Sequence, residues 1–197
     1  ETETNPLGRD SDADGLLDGE EDLNGDGVFS DDEPDPLVPD TDGDGLLDGS
    51  EVKLSGTNPR LRDTDNDGLI DGVELGKIDD YDPTSVTNPR RADTDGDGIA
   101  DGLEDANQNG RVDEGETDPL RIDTDGDTLN DGTEDRNQNG RFEEDLGETD
   151  GANPDTDGGS VNDGVEVKRN MTNPLDPSDD LLGDTDGDGI NDQDEMM

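Results

Sequence analysis

The sequence contains no cysteine, no histidine and no tryptophan. Without cysteine the fold cannot depend on disulfide bonds. Without histidine or cysteine it also lacks the usual ligands of zinc, copper and haem. Histidine is the commonest general base, so we expect no enzymatic activity. Glu1 is not an initiator residue, so we expect a mature or excised piece of a longer protein.

Positive charge and apolar side chains are both scarce. The chain has 13 Lys plus Arg against 61 Asp plus Glu, a formal net charge of −48. Such a polyanion is repelled by nucleic-acid phosphates and by anionic membranes, and no apolar run approaches the ~20 residues that span a bilayer. We therefore expect no nucleic-acid partner and no membrane insertion. The apolar content is too low for an ordinary hydrophobic core, so something else must hold any fold.

The acidic residues recur at fixed spacing, which a merely solvating tail does not need. Residues 40–51 read DTDGDGLLDGSE, and the same twelve-residue pattern occurs seven times. Positions 1, 3 and 9 are acidic in every copy, position 7 is apolar and position 12 is glutamate. Position 6 is glycine in five copies, with Thr128 and Ser160 as the exceptions. These primary loops are 10–21, 40–51, 63–74, 93–104, 123–134, 155–166 and 184–195.

This spacing predicts calcium loops of the EF-hand type. Calcium takes six to eight hard oxygens, which carboxylates at positions 1, 3, 5, 9 and 12 and the carbonyl at position 7 can supply, while glycine at position 6 permits the sharp turn. Magnesium fits less well because it prefers a small octahedral shell and retains its waters. The candidate ligands are Asp10, Asp12, Asp14, Leu16, Asp18 and Glu21; Asp40, Asp42, Asp44, Leu46, Asp48 and Glu51; Asp63, Asp65, Asp67, Leu69, Asp71 and Glu74; Asp93, Asp95, Asp97, Ile99, Asp101 and Glu104; Asp123, Asp125, Asp127, Leu129, Asp131 and Glu134; Asp155, Asp157, Val161, Asp163 and Glu166; and Asp184, Asp186, Asp188, Ile190, Asp192 and Glu195.

Three further loops, richer in asparagine, each follow a primary loop directly. These secondary loops are 22–33, 105–116 and 135–146. The last two have their apolar residue at position 8, whereas the primary loops have it at position 7, so the sequence predicts two loop classes. Leu146 occupies position 12 of the third, where Glu144, Asp145 or Glu148 are possible substitutes. The candidate ligands are Asp22, Asn24, Asp26, Val28, Ser30 and Glu33; Asp105, Asn107, Asn109, Arg111, Asp113 and Glu116; and Asp135, Asn137, Asn139, Arg141 and Glu143.

Each primary loop ends in a short helical signal. Asp48 and Glu51 form a D-x-x-E capping pattern, and a helix beginning there must stop before Asn58-Pro59, since a residue before proline is driven out of the helical region. No strand pattern is visible. The predicted fold is a mostly irregular, calcium-stabilised and extended repeat array over 1–197, with EF-hand-like loops, single-turn helices and little or no sheet.

The motif DTDGDGLLDGSE, followed by the TNP of residues 57–59, resembles the thrombospondin type 3 repeat in its cysteine-free bacterial and archaeal form. The resemblance covers nearly the whole chain. It implies little regular secondary structure wrapped around a line of calcium ions, and a role as a calcium-stiffened spacer or stalk of an extracellular or cell-surface protein. The disulfide-linked geometry of the animal members is not carried over.

Two alternative functions stay open. One is a subunit that polymerises head to tail into a calcium-dependent extracellular filament, because a heterologous contact that does not close generates fibres. The partners would then be copies of the chain itself, or flanking domains of a larger surface protein. The other is a dockerin-like partner-binding module, although long amphipathic helices are missing.

The loop 155–166 departs from the pattern. Gly159 replaces the carboxylate of position 5, and Ser160 stands at position 6. Calcium affinity follows the number of charged ligands, and serine resists the positive φ that glycine accepts. This loop is therefore expected to be the weakest primary site, unless a group from outside the loop fills the gap.

The charge balance generates a first prediction, that the metal-free chain is expanded and lacks fixed structure. Ten occupied loops would neutralise about 20 negative charges, so that binding energy becomes folding energy. Small-angle scattering should show a smaller radius of gyration in calcium than in chelator. Equal dimensions in the two conditions would contradict the prediction.

Overall fold

The computed structural model describes residues 9–180 and shows no strand in that range. Its helices have three to five residues each, which confirms the predicted irregular repeat array. They are α1 (Asp18–Glu21), α2 (Asp48–Ser50), a π-turn (Glu51–Ser55), α3 (Asp71–Glu74), α4 (Asp101–Glu104), α5 (Asp131–Glu134), a 3₁₀ turn (Glu144–Leu146), α6 (Asp163–Val165) and a second π-turn (Glu166–Asn170). The described residues form two compact units, 9–92 with 107–111 and 93–106 with 112–180. The predicted loop 184–195 lies outside them.

The helix at the end of each described primary loop begins one residue earlier than the capping pattern indicates. In the second loop the N-cap is Leu47, with φ −87° and ψ 140°, and no side chain caps the helix. The predicted capping role of Asp48 is therefore wrong. Its carboxylate turns back into the loop, where the N–H and hydroxyl of Thr41 donate to Oδ1 and Oδ2 over 2.8 and 2.5 Å. A carboxylate bound there cannot reach the free N–H groups of the helix.

The same hydrogen bonds close all six described primary loops. Position 2 donates twice to position 9 in the pairs Ser11 and Asp18, Thr64 and Asp71, Thr94 and Asp101, Thr124 and Asp131, and Thr156 and Asp163. The backbone adds a further bond, for example from the Asp48 N–H to the Pro39 carbonyl over 3.1 Å. Position 2 is therefore structural, which explains the threonine in the DTD triplet.

The residues that pack inside are mainly acidic. The buried aliphatic side chains of the described chain are Leu16, Leu46, Leu69, Val73, Ile99 and Leu129, all but Val73 at position 7 of a primary loop. Buried carboxylates outnumber them, and the fully buried side chains include position 9 and position 12 residues such as Asp48 and Glu51. A fold with this interior needs a source of positive charge, because burying unpaired charge is costly.

Glycine at position 10 allows successive loops to approach closely. A Cβ on Gly49 would lie 2.6 Å from the carbonyl oxygen of Asp14, in the preceding loop. In unit 2, a Cβ on Gly132 or Gly164 would likewise overlap the carbonyl of the position 5 aspartate one loop earlier. The position 5 side chain adds a hydrogen bond, since the Gly49 N–H donates to Asp14 Oδ2 over 2.6 Å.

A second hydrogen bond between loops is accepted by the carbonyl oxygen of position 6. Lys53, which follows the second loop, donates its ammonium to the carbonyl of Gly15 in the first. Lys168 makes the same bond to Thr128 in unit 2. Gln108 takes this role in unit 1, where its Nε2 donates to the Gly68 carbonyl over 2.7 Å. Different sequences after the loops, EVK and NQN, thus serve the same purpose.

The packing at position 10 predicts that Gly49→Ala destabilises the fold. The new methyl group would press on backbone atoms that cannot move aside, a kind of overpacking that costs roughly 1–3 kcal/mol. The matched control is Gly19→Ala, since nothing lies within 4 Å of a Cβ there and alanine favours a helix over glycine by roughly 0.5–1 kcal/mol. Thermal unfolding in saturating calcium should show a lower melting temperature for Gly49→Ala alone. Equal melting temperatures for the two variants would contradict the packing argument.

Candidate metal centres

The aspartate at position 1 curls each primary loop. In the second loop, the N–H groups of Gly43 and Gly45 donate to the two oxygens of Asp40 over 2.8 and 3.1 Å. This turn requires a positive φ at position 6, where Gly45 has φ 95°. Thr128 and Ser160 adopt the same conformation with φ 91° and 93°. The loop geometry therefore persists without glycine, at the cost of strain in a residue with a side chain.

The carboxylates at positions 1, 3 and 5 lie close together in three loops of unit 1. Carboxylate oxygens of Asp40, Asp42 and Asp44 all lie within 4.8 Å of one another. The same holds for the corresponding residues of two other loops in unit 1, Asp10, Asp12 and Asp14 and Asp63, Asp65 and Asp67. The alternate spacing of the sequence therefore gathers three carboxylates around one point.

A second group of carboxylates combines two successive loops. Oxygens of Asp44, Glu51 and Asp71 also lie within 4.8 Å of one another, and all three residues are buried. Asp44 and Glu51 are positions 5 and 12 of the second loop, whereas Asp71 is position 9 of the third. From the sequence, position 9 is expected to serve only its own loop. A twelve-residue motif carries no information on how loops stack, so it does not reveal that the position 9 aspartate of one loop joins the carboxylates of the loop before it.

Many of these oxygens have no hydrogen-bond partner inside the protein. Position 12 contributes at least one such buried oxygen in every described primary loop, and position 3 does the same. The residues are Glu21, Glu51, Glu74, Glu104, Glu134 and Glu166, and Asp12, Asp42, Asp65, Asp95, Asp125 and Asp157. Buried polar atoms are otherwise nearly always paired. Clustered, unpaired carboxylate oxygens fit a hard divalent cation, which would be held by these positions.

The electrostatics point the same way. Burial, reinforced by the neighbouring charges of Asp42 and Asp44, raises the pKa of Glu51 to about 9. Burial and like charges also raise the pKa of Glu21 to about 8 and of Glu74 and Glu104 to about 9. A raised pKa of this kind marks a carboxylate whose negative charge is unfavourable in its surroundings, and a nearby cation would relieve that cost.

The threonine of the TNP link, or of the TDG segment at 149–151, also belongs to the site. The Thr57 hydroxyl donates to Glu51 Oε1 over 3.1 Å, and Thr87 and Thr149 donate to Glu74 and Glu134 over 3.0 and 2.9 Å. One glutamate oxygen is thereby fixed, while the other stays buried and unpartnered. The link therefore orients the residue that closes the loop.

Two of the secondary loops show a similar closure by a glutamate, which is buried in one (Glu33) and half-buried in the other (Glu116). In loop 22–33, Glu33 accepts hydrogen bonds from the Asn24 N–H over 2.9 Å and the Ser30 hydroxyl over 3.1 Å. Loop 105–116 is divided between the two units. Within unit 2, the Asp113 N–H donates to Glu116 Oε2 over 2.9 Å.

The third secondary loop is closed by Glu148. Leu146 is exposed, whereas Glu148 is 1% exposed and accepts hydrogen bonds from the Asn137 side chain over 2.9 Å and the Glu143 N–H over 3.1 Å. The bond from Glu143 repeats the one that Asp113 makes to Glu116. A sequence signal was present, since GET precedes an aspartate both at 115–118 and at 147–150. Glu148 is one of the three possible substitutes named from the sequence, and it lies two residues beyond position 12.

Apolar side chains separate the two loop classes. Position 7 is buried in five of the described primary loops, and Val161 in the sixth is half-buried. The position 8 residues of the secondary loops, Phe29, Val112 and Phe142, are about 40% exposed. The difference in phase therefore corresponds to different packing, as the sequence predicts.

Four segments of the chain match the family model of the bacterial TSP3 repeat: 40–59, 63–75, 93–108 and 184–196. This confirms the resemblance drawn from the motif. No curated protein and no solved structure matches the chain. Within residues 9–180, no helix has the length and apolar character needed to cross a membrane.

The closure by Glu148 yields a prediction for the third secondary loop. Glu148→Gln should remove one bound calcium ion from the titration, or weaken one site at least about tenfold, because even residues that only support metal ligands typically cost that much. Glu144→Gln is the control, since Glu144 is exposed. Isothermal titration of both variants would check this. A loss in Glu144→Gln, or none in Glu148→Gln, would contradict the assignment.

Proposed function

We propose that this chain is a calcium-stiffened spacer or stalk of an extracellular or cell-surface protein, because four of its segments match the family model of the bacterial TSP3 repeat, a family of structural calcium-binding repeats and not of enzymes. The observation that carries the proposal is the recurrence of buried, unpartnered carboxylate oxygens at positions 3 and 12 of all six described primary loops. The ligands are the carboxylates at positions 1, 3, 5, 9 and 12 with the carbonyl at position 7, and Glu148 completes the third secondary loop.

Calcium is the ion that suits these sites. The groups offer many carboxylate oxygens from flexible loops, which matches a large, hard cation of variable geometry. Magnesium demands a regular octahedron and retains several waters. Extracellular calcium would fill sites with dissociation constants of roughly 10⁻⁶ to 10⁻³ M.

Stiffness follows from the ligands that two loops share. An ion between Asp44, Glu51 and Asp71 would hold the second loop against the third. Without it, like charges 4 Å apart repel by about 4 kcal/mol near a protein surface. The contact at Gly49, where the position 5 residue of one loop meets the helix of the next, depends on both loops being closed. Calcium would therefore fix each loop and its neighbour together.

The absence of cysteine permits a direct test of stiffness. Cysteines introduced at Leu54 and Tyr81, two residues of unit 1 that are 84% and 75% exposed, can carry spin labels without side reactions. Pulsed electron paramagnetic resonance should give a narrow distance distribution in calcium and a broad one in chelator. Magnesium at the same concentration is the control and should not narrow the distribution to the same extent.

Two outcomes would change the proposal. A distance distribution that is equally narrow without calcium would contradict the stiffening role. Filaments that appear in electron micrographs only when calcium is present would favour the alternative function, a subunit that polymerises head to tail, over the spacer.

A further inference from the structure

The sixth primary loop, 155–166, has a carboxylate where its own sequence provides none. In the other loops, one oxygen of the position 5 aspartate accepts a hydrogen bond from the position 7 N–H, as Asp44 Oδ1 does from Leu46 over 2.7 Å. Position 5 of the sixth loop is Gly159. Here the N–H of Val161 donates instead to Oδ2 of Asp180, over 3.2 Å.

Asp180 fills the space of the missing side chain. A Cβ built on Gly159 would overlap the Asp180 carboxylate, and Asp180 is only 6% exposed. Its second oxygen, Oδ1, is buried and has no hydrogen-bond partner. Asp44 shows the same division of roles, with Oδ1 on the loop backbone and a buried, unpartnered Oδ2.

The residues around Asp180 independently indicate a cation site. Glu166, at position 12, is completely buried, and neither of its carboxylate oxygens has a partner. Oδ2 of Asp157, at position 3, is also buried and unpartnered. Asp180 therefore adds negative charge to a group that already lacks positive charge.

The link after the sixth loop explains how Asp180 reaches this place. In the regular link after the second loop, the Asn58 N–H donates to the Thr64 hydroxyl, six residues on, over 2.9 Å. After the sixth loop, the Asn173 N–H donates to Asp179 Oδ2, also six residues on, over 3.0 Å. Asp179 thus takes the place of the position 2 threonine. The next residue, Asp180, is directed back to the loop that precedes the link.

We propose that Asp180 is a calcium ligand of the sixth loop and replaces the carboxylate absent at position 5. This inference rests on the proposed function, because it assigns one more ligand to the same kind of site. It revises the expectation that loop 155–166 is the weakest primary site, since the number of charged ligands is restored. An ion bound there also holds the segment 171–180 against the loop, which a ligand inside the loop would not do.

A reporter for this single loop can be built into the full chain. Asn162 is exposed at position 8, and its side chain makes no capping hydrogen bond. The chain has no tryptophan, so Asn162→Trp would sensitise terbium luminescence from the sixth loop alone. Competition by calcium then measures the affinity of that loop.

The decisive comparison in the Asn162→Trp chain is between Asp180→Asn and Asp176→Asn. Both remove one charge from the same segment, but Asp176 binds only Ser178 and is exposed. Asp180→Asn should weaken terbium and calcium binding at the reporter at least about tenfold, whereas Asp176→Asn should leave binding within about twofold. Asp180→Ala should weaken binding at least as much, and Gly159→Asp added to Asp180→Ala should recover most of that loss, because alanine leaves the space beside Gly159 open and the new aspartate returns a carboxylate to position 5.

The possible outcomes distinguish a failure of the Asp180 assignment from a failure of the proposed function. If Asp180→Asn binds both metals as Asp176→Asn does, the role of Asp180 is overturned while the loop remains a calcium site. If Gly159→Asp fails to rescue but binding was weakened, Asp180 acts by supporting the loop fold and the ligand assignment is again overturned. If the parent reporter binds neither terbium nor calcium, the proposed function itself fails at this loop, and the assignment of Asp180 with it.

Discussion

The described structure depends on one constraint, the burial of carboxylates that have no positive partner within the protein. Glu51, Glu74 and Glu104 are at most 1% exposed, while the described ion pairs, Lys53 with Glu20 and Arg60 with Asp32, lie at the surface. Desolvated charges of like sign cannot remain together without compensation. A bound cation would supply the compensation, and its binding energy would then become part of the folding energy.

This constraint also decides how one repeat is joined to the next. The aspartate at position 5 contributes to its own loop, through the N–H of position 7, and to the following loop, through the glycine at position 10. The aspartate at position 9 closes its own loop and enters the carboxylate group of the loop before it, as Asp71 does with Asp44 and Glu51. Loop closure and loop stacking therefore use the same side chains, and the loss of one ion affects two repeats.

Irregular members of the array reach the same arrangement by different routes. Glu148 closes a secondary loop that is two residues too long, and Asp180 lies in the position 5 space of the loop that lacks an aspartate. Lysine and glutamine serve equally as donors to the carbonyl of position 6. What is preserved in each case is the placement of an oxygen or a donor, and not the residue number at which it occurs. The geometry around a cation tolerates such changes because each ligand is needed only at its final position.

The sequence alone indicated the repeat, the acidic loops and the absence of a conventional core, because fixed spacing of acidic residues within twelve positions is a local property. It also indicated the two loop classes, since the phase of the apolar residue is visible in each loop. Only the tertiary structure decided which residues from different loops meet. The sharing of Asp71, the need for glycine at position 10, the role of Glu148 and the place of Asp180 depend on contacts between segments distant in sequence, and no local pattern specifies those contacts.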